Sequence, residues 1–175
     1  LGGEWLQSIQ PKEAIMKALI FASLLAAGVA HADPVVDAAR TYAAFWNTGD
    51  PSLAVKALAP DFIDRTLPAG REQGVNGPLQ ASKSFRAAVP DLRAEATHIV
   101  PHGDHVSVRL HFTGHFTGQF GATQGQGQAI DFQAFDLYHV VDGRITENWH
   151  LEDNLTLLQQ MGLMSGLQSA PAKTQ

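Results

Sequence analysis

Apolar residues along this chain keep helical spacing as far as Val89 and alternate with polar ones beyond Pro90. Asp33-Pro34 offers an N-cap followed by a first-turn proline, Val35, Ala39, Tyr42 and Trp46 recur on one face, and Gly49 can end the segment. Together they predict an amphipathic helix. Asp50-Pro51 repeats the start signal, and Leu53, Ala54, Ala57 and Leu58 give a shorter apolar face that Pro60 is expected to stop. Residues 61–66 read as extended, the Gly/Pro-rich run 68–78 as loop, and 79–89 as a third helix.

Period-two alternation then predicts strands over 92–100, 106–117, 129–141 and 144–153. His102-Gly103-Asp104 joins the first pair, and Asp142-Gly143 is a two-residue hairpin loop of residues that tolerate positive φ. Residues 154–161 can add a closing helix. Helices first and a long bent antiparallel sheet afterwards define an α+β domain, expected over 33–163, with 164–175 too poor in apolar residues to be ordered.

Strand parity sorts the side chains. If the Asp142-Gly143 hairpin pairs Val141 with Arg144 and the pairing stays regular, Tyr138 lies opposite Glu147 and Asp136 opposite Trp149. One face then carries Phe132, Ala134, Asp136, Tyr138, Val140, Ile145, Glu147, Trp149, Leu151 and Asp153, a mixture suited to a pocket wall. His139 and His150 fall on the other face. On the preceding strand Val106, Val108, Leu110, Phe112 and Phe116 share the inward face. A bulge would reverse parity beyond it.

Charge changes the picture by exclusion. The formal net charge is -5 with no Lys/Arg cluster, so nucleic acid is not an expected partner. Cysteine is absent, which excludes disulfides and thiolate chemistry. The segment 16–32 carries Lys17, an apolar stretch and a small-x-small ending, Ala30-His31-Ala32, and reads as a secretory signal peptide. Residues 1–15 then read as an upstream translation artefact, and the product as periplasmic or secreted without a membrane anchor once cleaved. The histidines, among them His98, His102, His105, His111 and His115, lack a carboxylate at a supporting sequence spacing, so no metal site is expected.

Several motifs occur together: Phe85 to Arg93 (FRAAVPDLR), Gly103-Asp104, Gly114 to Phe120, Asp142-Gly143-Arg144-Ile145, and Glu147-Asn148-Trp149 with Asp153. This set resembles the SnoaL-like polyketide cyclases, also called ester cyclases, of the nuclear-transport-factor-2-like superfamily. The resemblance implies a cone-shaped α+β domain in which N-terminal helices pack in a strongly curved antiparallel sheet around a deep apolar pocket. It implies no metal or organic cofactor, and association through the outer sheet face as a homodimer. The family's acid/base position is expected at Asp153. Where the family tends to have Gly-Thr-His-Thr-Gly, this chain has Gly114-His115-Phe116-Thr117-Gly118, so Phe116 stands at the histidine position.

Three functions follow as expectations. The first is acid/base ring closure on a small apolar carbonyl or polycyclic compound, with Asp153, Asp136 and Asp64 as the candidate carboxylates, since burial raises a carboxyl pKa towards neutrality. Trp149, Tyr138, Phe112, Phe116, Leu110 and Glu147 would line the pocket. The second is an allylic proton shift resembling that of ketosteroid isomerases, with Tyr42 and Asp136 holding the oxyanion and Asp64 as base. The third is a non-catalytic periplasmic module that binds an apolar small molecule.

Overall fold

A computed structural model describes residues 33–164; the segment 16–32 read above as a signal peptide, residues 1–15 and the tail from 165 onward lie outside them. Helix α1 (Pro34–Thr48) and helix α2 (Pro51–Ala57) start as their sequences predict: the Asp33 and Asp50 carboxylates each accept a backbone N–H two residues on, at 2.9 Å. Gly49 ends α1 in the left-handed region at φ 75°. There the Arg86 guanidinium of helix α3 (Asn76–Ala88) donates to the Trp46 carbonyl at 2.6 Å, and a Cβ on Gly49 would stand 2.6 Å from Arg86 Nε.

The sheet has five strands: β1 (Leu58–Asp64), β2 (Arg93–His102), β3 (His105–Phe116), β6 (Gln128–Val141) and β7 (Arg144–Glu152). Their spatial order is β1-β7-β6-β3-β2. Every pairing is antiparallel except β1 with β7, which is parallel. Strand β1 begins two residues before Pro60, so the proline lies within an edge strand instead of stopping a helix. Two short strands that alternation did not predict, β4 (Gln119–Phe120) and β5 (Thr123–Gln124), form a separate hairpin. Helix α4 (Asn154–Gln160) follows the last strand.

Ala38, Ala39, Tyr42 and Phe45 of α1 pack against the inward faces of β3 and β6, where Val106, Val108, Leu110, Phe132 and Tyr138 alternate as the pattern requires. The Asp142-Gly143 turn has both residues at positive φ, 50° and 73°, and pairs Val141 with Arg144. One step later the regular pairing fails. His139 pairs with Glu147 but Val140 with Ile145, which leaves Thr146 as an extra residue on β7. This β-bulge turns every later side chain of β7 to the opposite face. Tyr138 therefore faces Asn148, and Asp136 faces His150. The expected placement of Glu147, Trp149, Leu151 and Asp153 on the inner face is corrected accordingly: Asn148 and His150 are buried, and Leu151 is 75% exposed. On the outer face Phe135 pairs with Leu151 and Leu137 with Trp149, an apolar strip with Phe135 53% exposed.

Candidate active site

Inside the sheet lies a cavity of about 500 Å³, within the range of small-molecule sites. Its apolar walls come from Trp46 of α1, Phe62 of β1, Phe85 of α3, Leu110 and Phe112 of β3 and Phe132 of β6. Phe112 and Phe132 are stacked with ring centroids 5.0 Å apart, and Trp46 meets Phe112 edge-on at 6.2 Å. The exposed loop residues Ala69 and Gly70, with Arg71 and Phe120, mark the rim.

The polar part of the cavity is confined to one side. Asp136 of β6 accepts the Tyr138 hydroxyl at 2.9 Å and the Asn148 amide at 3.4 Å. Burial raises its carboxyl pKa to about 6, against the opposing pull of the Tyr138 bond and of the nearby His150. Beside it His150 Nε2 stands 3.0 and 3.1 Å from the two Asp64 oxygens, and His150 Nδ1 stands 2.7 Å from Glu152. Burial opposes protonation of this imidazole, but the flanking carboxylates outweigh it and raise its pKa to about 9. His150 is an imidazolium at neutral pH, with both ring N–H groups donated to carboxylates. Burial likewise disfavours the Glu152 charge, and its bond to His150 overrides this and holds the carboxyl below its ordinary value.

Asp64 is fixed from several sides. It also accepts the Thr66 N–H at 2.9 Å, and the Gln73 side chain brackets its backbone, accepting its N–H at 2.8 Å and donating to its carbonyl at 3.0 Å. Tyr42 lines the cavity with its ring 5.6 Å from that of Tyr138. Burial, followed by the nearby Asp136 charge, pushes its hydroxyl pKa well up, so it is a hydrogen-bond donor at any working pH. Tyr138 is raised by the same causes in the same order. Asn148 is 5% exposed, and its Oδ1 has no hydrogen-bond partner although the residue lines the cavity.

Of the residues expected in the pocket, Tyr42, Asp64, Asp136, Leu110 and Phe112 line it, and Tyr138 supports Asp136 from behind. Four stand elsewhere. Asp153 is exposed and caps α4, accepting the Thr156 N–H at 3.1 Å and its hydroxyl at 2.7 Å; these bonds hold its carboxyl below the ordinary range. Glu147 lies on the outer face bonded to Arg65 and His139. Trp149 is half-buried on that same face, across from Leu137. Phe116 is fully buried but under the β5–β6 connection, not at the cavity: a Cβ on Gly125 would stand 2.7 Å from its ring. Sequence reasoning missed Asn148, His150 and Glu152, whose one signal was the bulge at Thr146.

The two glycines flanking Phe116 serve packing. A Cβ on Gly114 would come within 2.5 Å of Val89, and one on Gly118 within 1.9 Å of the Ala87 carbonyl. Both let the end of β3 press against the C-terminus of α3, where Gly118 N–H donates to the Ala88 carbonyl at 2.8 Å. Phe116→His should therefore lower stability by about 1–3 kcal/mol in urea denaturation and leave the affinity of the cavity for an apolar ligand unchanged. An unshifted midpoint would contradict this placement.

A curved sheet that packs with its helices around a cavity with acids on one wall defines a class of small α+β domains. The match to a family profile is more specific: residues 36–161 match the SnoaL-like polyketide cyclase family, and the chain belongs to it. Among solved structures, a proposed polyketide cyclase from Bacillus cereus is 44% identical, with a TM-score of 0.68 over 75% of this chain and 83% of that one. IdmH from Streptomyces antibioticus, likewise described as a proposed polyketide cyclase, is 27% identical with a TM-score of 0.67 over 75% of this chain and 99% of its own. A Catenulispora acidiphila protein with a ketosteroid isomerase-like fold, 21% identical with a TM-score of 0.57 over 73% of this chain and 94% of that one, shares the fold. No curated protein matches the sequence.

Proposed function

We propose that this chain closes a ring in a small apolar carbonyl compound by side-chain acid–base chemistry, with Asp136 as the base. The observation that carries this reading is the environment of Asp136: a buried carboxyl with a pKa of about 6, beside an apolar cavity and two hydrogen-bond donors. A base poised near the working pH combines the ionised state with enough affinity for the proton it takes. Asp64 is less suited, because its partner is the cationic His150, whereas the two donors to Asp136 are neutral. Asp153 is less suited because it is outside the cavity.

In the proposed reaction the Asp136 carboxylate removes a proton from the carbon next to a carbonyl. The C–H electron pair becomes the enolate, whose oxygen receives a hydrogen bond from the Tyr42 hydroxyl. The enolate carbon then bonds to a second carbonyl carbon of the same molecule, and the alkoxide formed there takes the proton back from Asp136. Atoms balance without a co-reactant. The unpartnered Asn148 Oδ1 supports a substrate that bears a hydroxyl close to the acidic carbon, since a buried acceptor left unpaired favours a ligand that supplies a donor. The names of the Bacillus cereus and Streptomyces antibioticus relatives agree with a cyclase reading.

Proton abstraction is testable without the natural substrate. The protein is incubated in D2O with cyclic ketones and β-diketones of a size that fits the cavity, and deuterium entry next to the carbonyl is followed by NMR. Exchange should exceed the buffer rate and rise with pH through about 6 as Asp136 ionises. Tight binding of these compounds with exchange at the buffer rate would replace this reading with that of an apolar-ligand-binding module.

A further inference from the structure

A row of polar side chains crosses the outer face of the sheet at the β2–β3 turn. His102 of β2 is opposite His105 of β3, His105 opposite His139 of β6, and His139 opposite Glu147 of β7. Directly opposed residues in antiparallel strands point to the same face, so strand pairing assembles from four separate stretches what sequence spacing does not show. Asp104, in the two-residue turn, leans over this row. Its backbone carbonyl accepts the Val140 N–H at 2.8 Å, which ties the turn to β6 beside the bulge.

Asp104 faces two imidazoles at once. Its Oδ1 is 2.6 Å from His105 Nδ1 and its Oδ2 is 3.3 Å from His139 Nε2, while the two rings are stacked 4.7 Å apart at 17°. One ligand atom from each of the three residues lies within 4.8 Å of the other two. Zinc bonds of about 2.0–2.1 Å place its ligands roughly 3.3 Å from one another, so the set needs only small side-chain adjustment around a cation. Asp104 and His105 are at least 40% exposed and free to make it.

The second nitrogen of His139 is also held. Nδ1 is 3.3 Å from Glu147 Oε2 and 3.2 Å from the Thr146 hydroxyl, and Glu147 is itself fixed by Arg65, whose Nε donates to it at 2.7 Å. A carboxylate behind a histidine, fixing its tautomer and aiming the other nitrogen forward, is the supporting arrangement that metal-ligating histidines use. The other outer histidine pairs, His111 with Asp131 and His115 with Asp91, have one imidazole each and, among the described residues, lack a third ligand within reach.

From this geometry we infer that Asp104, His105 and His139 form a binding site for a borderline divalent cation, zinc above all, with Glu147 as the residue that positions His139. The mixed nitrogen and oxygen set suits zinc, and copper(II) or nickel(II) would compete for it. The site is on the opposite face of the sheet from the cavity and does not depend on the proposed reaction. Bound metal would fasten the tip of the β2–β3 hairpin to the β6–β7 ribbon.

Calorimetric titration of the chelator-treated full chain with zinc chloride tests the assignment. One zinc should bind per chain, and His105→Ala or His139→Ala should each weaken binding by more than about tenfold. Glu147→Gln should weaken it by roughly tenfold, as loss of such supporting partners does, and His111→Ala should bind like the wild type. Zinc should also raise the melting temperature of the wild type and leave that of the His105→Ala/His139→Ala double variant unmoved. No detectable binding to the wild type, or binding of wild-type strength in that double variant, overturns the site. Melting curves in chelator confirm that each variant is folded before titration.

Discussion

Asp136→Asn should cut turnover of an active carbonyl substrate by about 100- to 10,000-fold, the usual worth of a group that transfers the proton in the transition state. Ligand affinity should change little, because asparagine fills the same volume and still accepts the Tyr138 hydroxyl. Stability should move in the other direction. Burial raises the Asp136 pKa from an ordinary 3.8 to about 6, so the folded state holds its proton more tightly than the unfolded chain does. The carboxyl begins to cost stability as pH rises above 3.8, and the cost is complete above about 6. The pH range in which the base is ionised and active is thus the range in which it most burdens the fold. Asp136→Asn should melt higher than the wild type at pH 7 and lose this advantage towards pH 4. Asp153→Asn, by contrast, alters a helix cap and should leave turnover unaltered. Wild-type turnover in Asp136→Asn, or its loss in Asp153→Asn, would refute the assignment of the base.

His150→Phe should be the most destabilising single change among the polar cavity residues, by about 3–5 kcal/mol at pH 7, because it leaves the buried Asp64, and the half-buried Glu152 beside it, without their shared cation. The sign of its pH dependence is opposite to that of Asp136. A pKa raised from 6.5 to about 9 means that protonated His150 contributes its full stability below 6.5 and loses it as pH climbs through about 9. The gap between wild type and variant in urea denaturation should therefore narrow between pH 7 and pH 10. A gap of constant size would show that ring packing, not the imidazolium, is what matters. In a variant that remains folded, removing the cation should also raise the Asp136 pKa further, since His150 is one of the groups that hold it down. The inflection of the pH–rate profile should then move above 6.

Most of the fold was legible because each local signal agreed with its tertiary setting. Asp33-Pro34 and Asp50-Pro51 start helices as capping chemistry requires, and β3 and the inner face of β6 alternate without interruption, so Leu110, Phe112 and Asp136 fell where parity put them. The last strand misled because its two faces reverse the usual contrast. Its outward residues include Trp149 and Leu151, which look like core, and its inward ones are Asn148 and His150, which look like surface. Apolar content therefore argued for the same wrong parity that regular pairing did. The histidine at position 150 and the carboxylate at 64 are 86 residues apart in the chain and meet through the parallel β1–β7 pairing, a contact that no short motif encodes.

Thr146 makes one further point about how such a domain can change. A single inserted residue sends Glu147 outward to His139 and, from the next position on, Asn148 and His150 inward to Asp136. Two chemically unrelated surfaces thus share one switch in the strand register, and a shift of that register cannot change one without the other. Paired regularly, without the bulge, the same eight residues after the turn would present tryptophan and leucine to the cavity and a histidine to solvent. Pairing register, more than residue type, decides whether that interior is reactive or merely greasy.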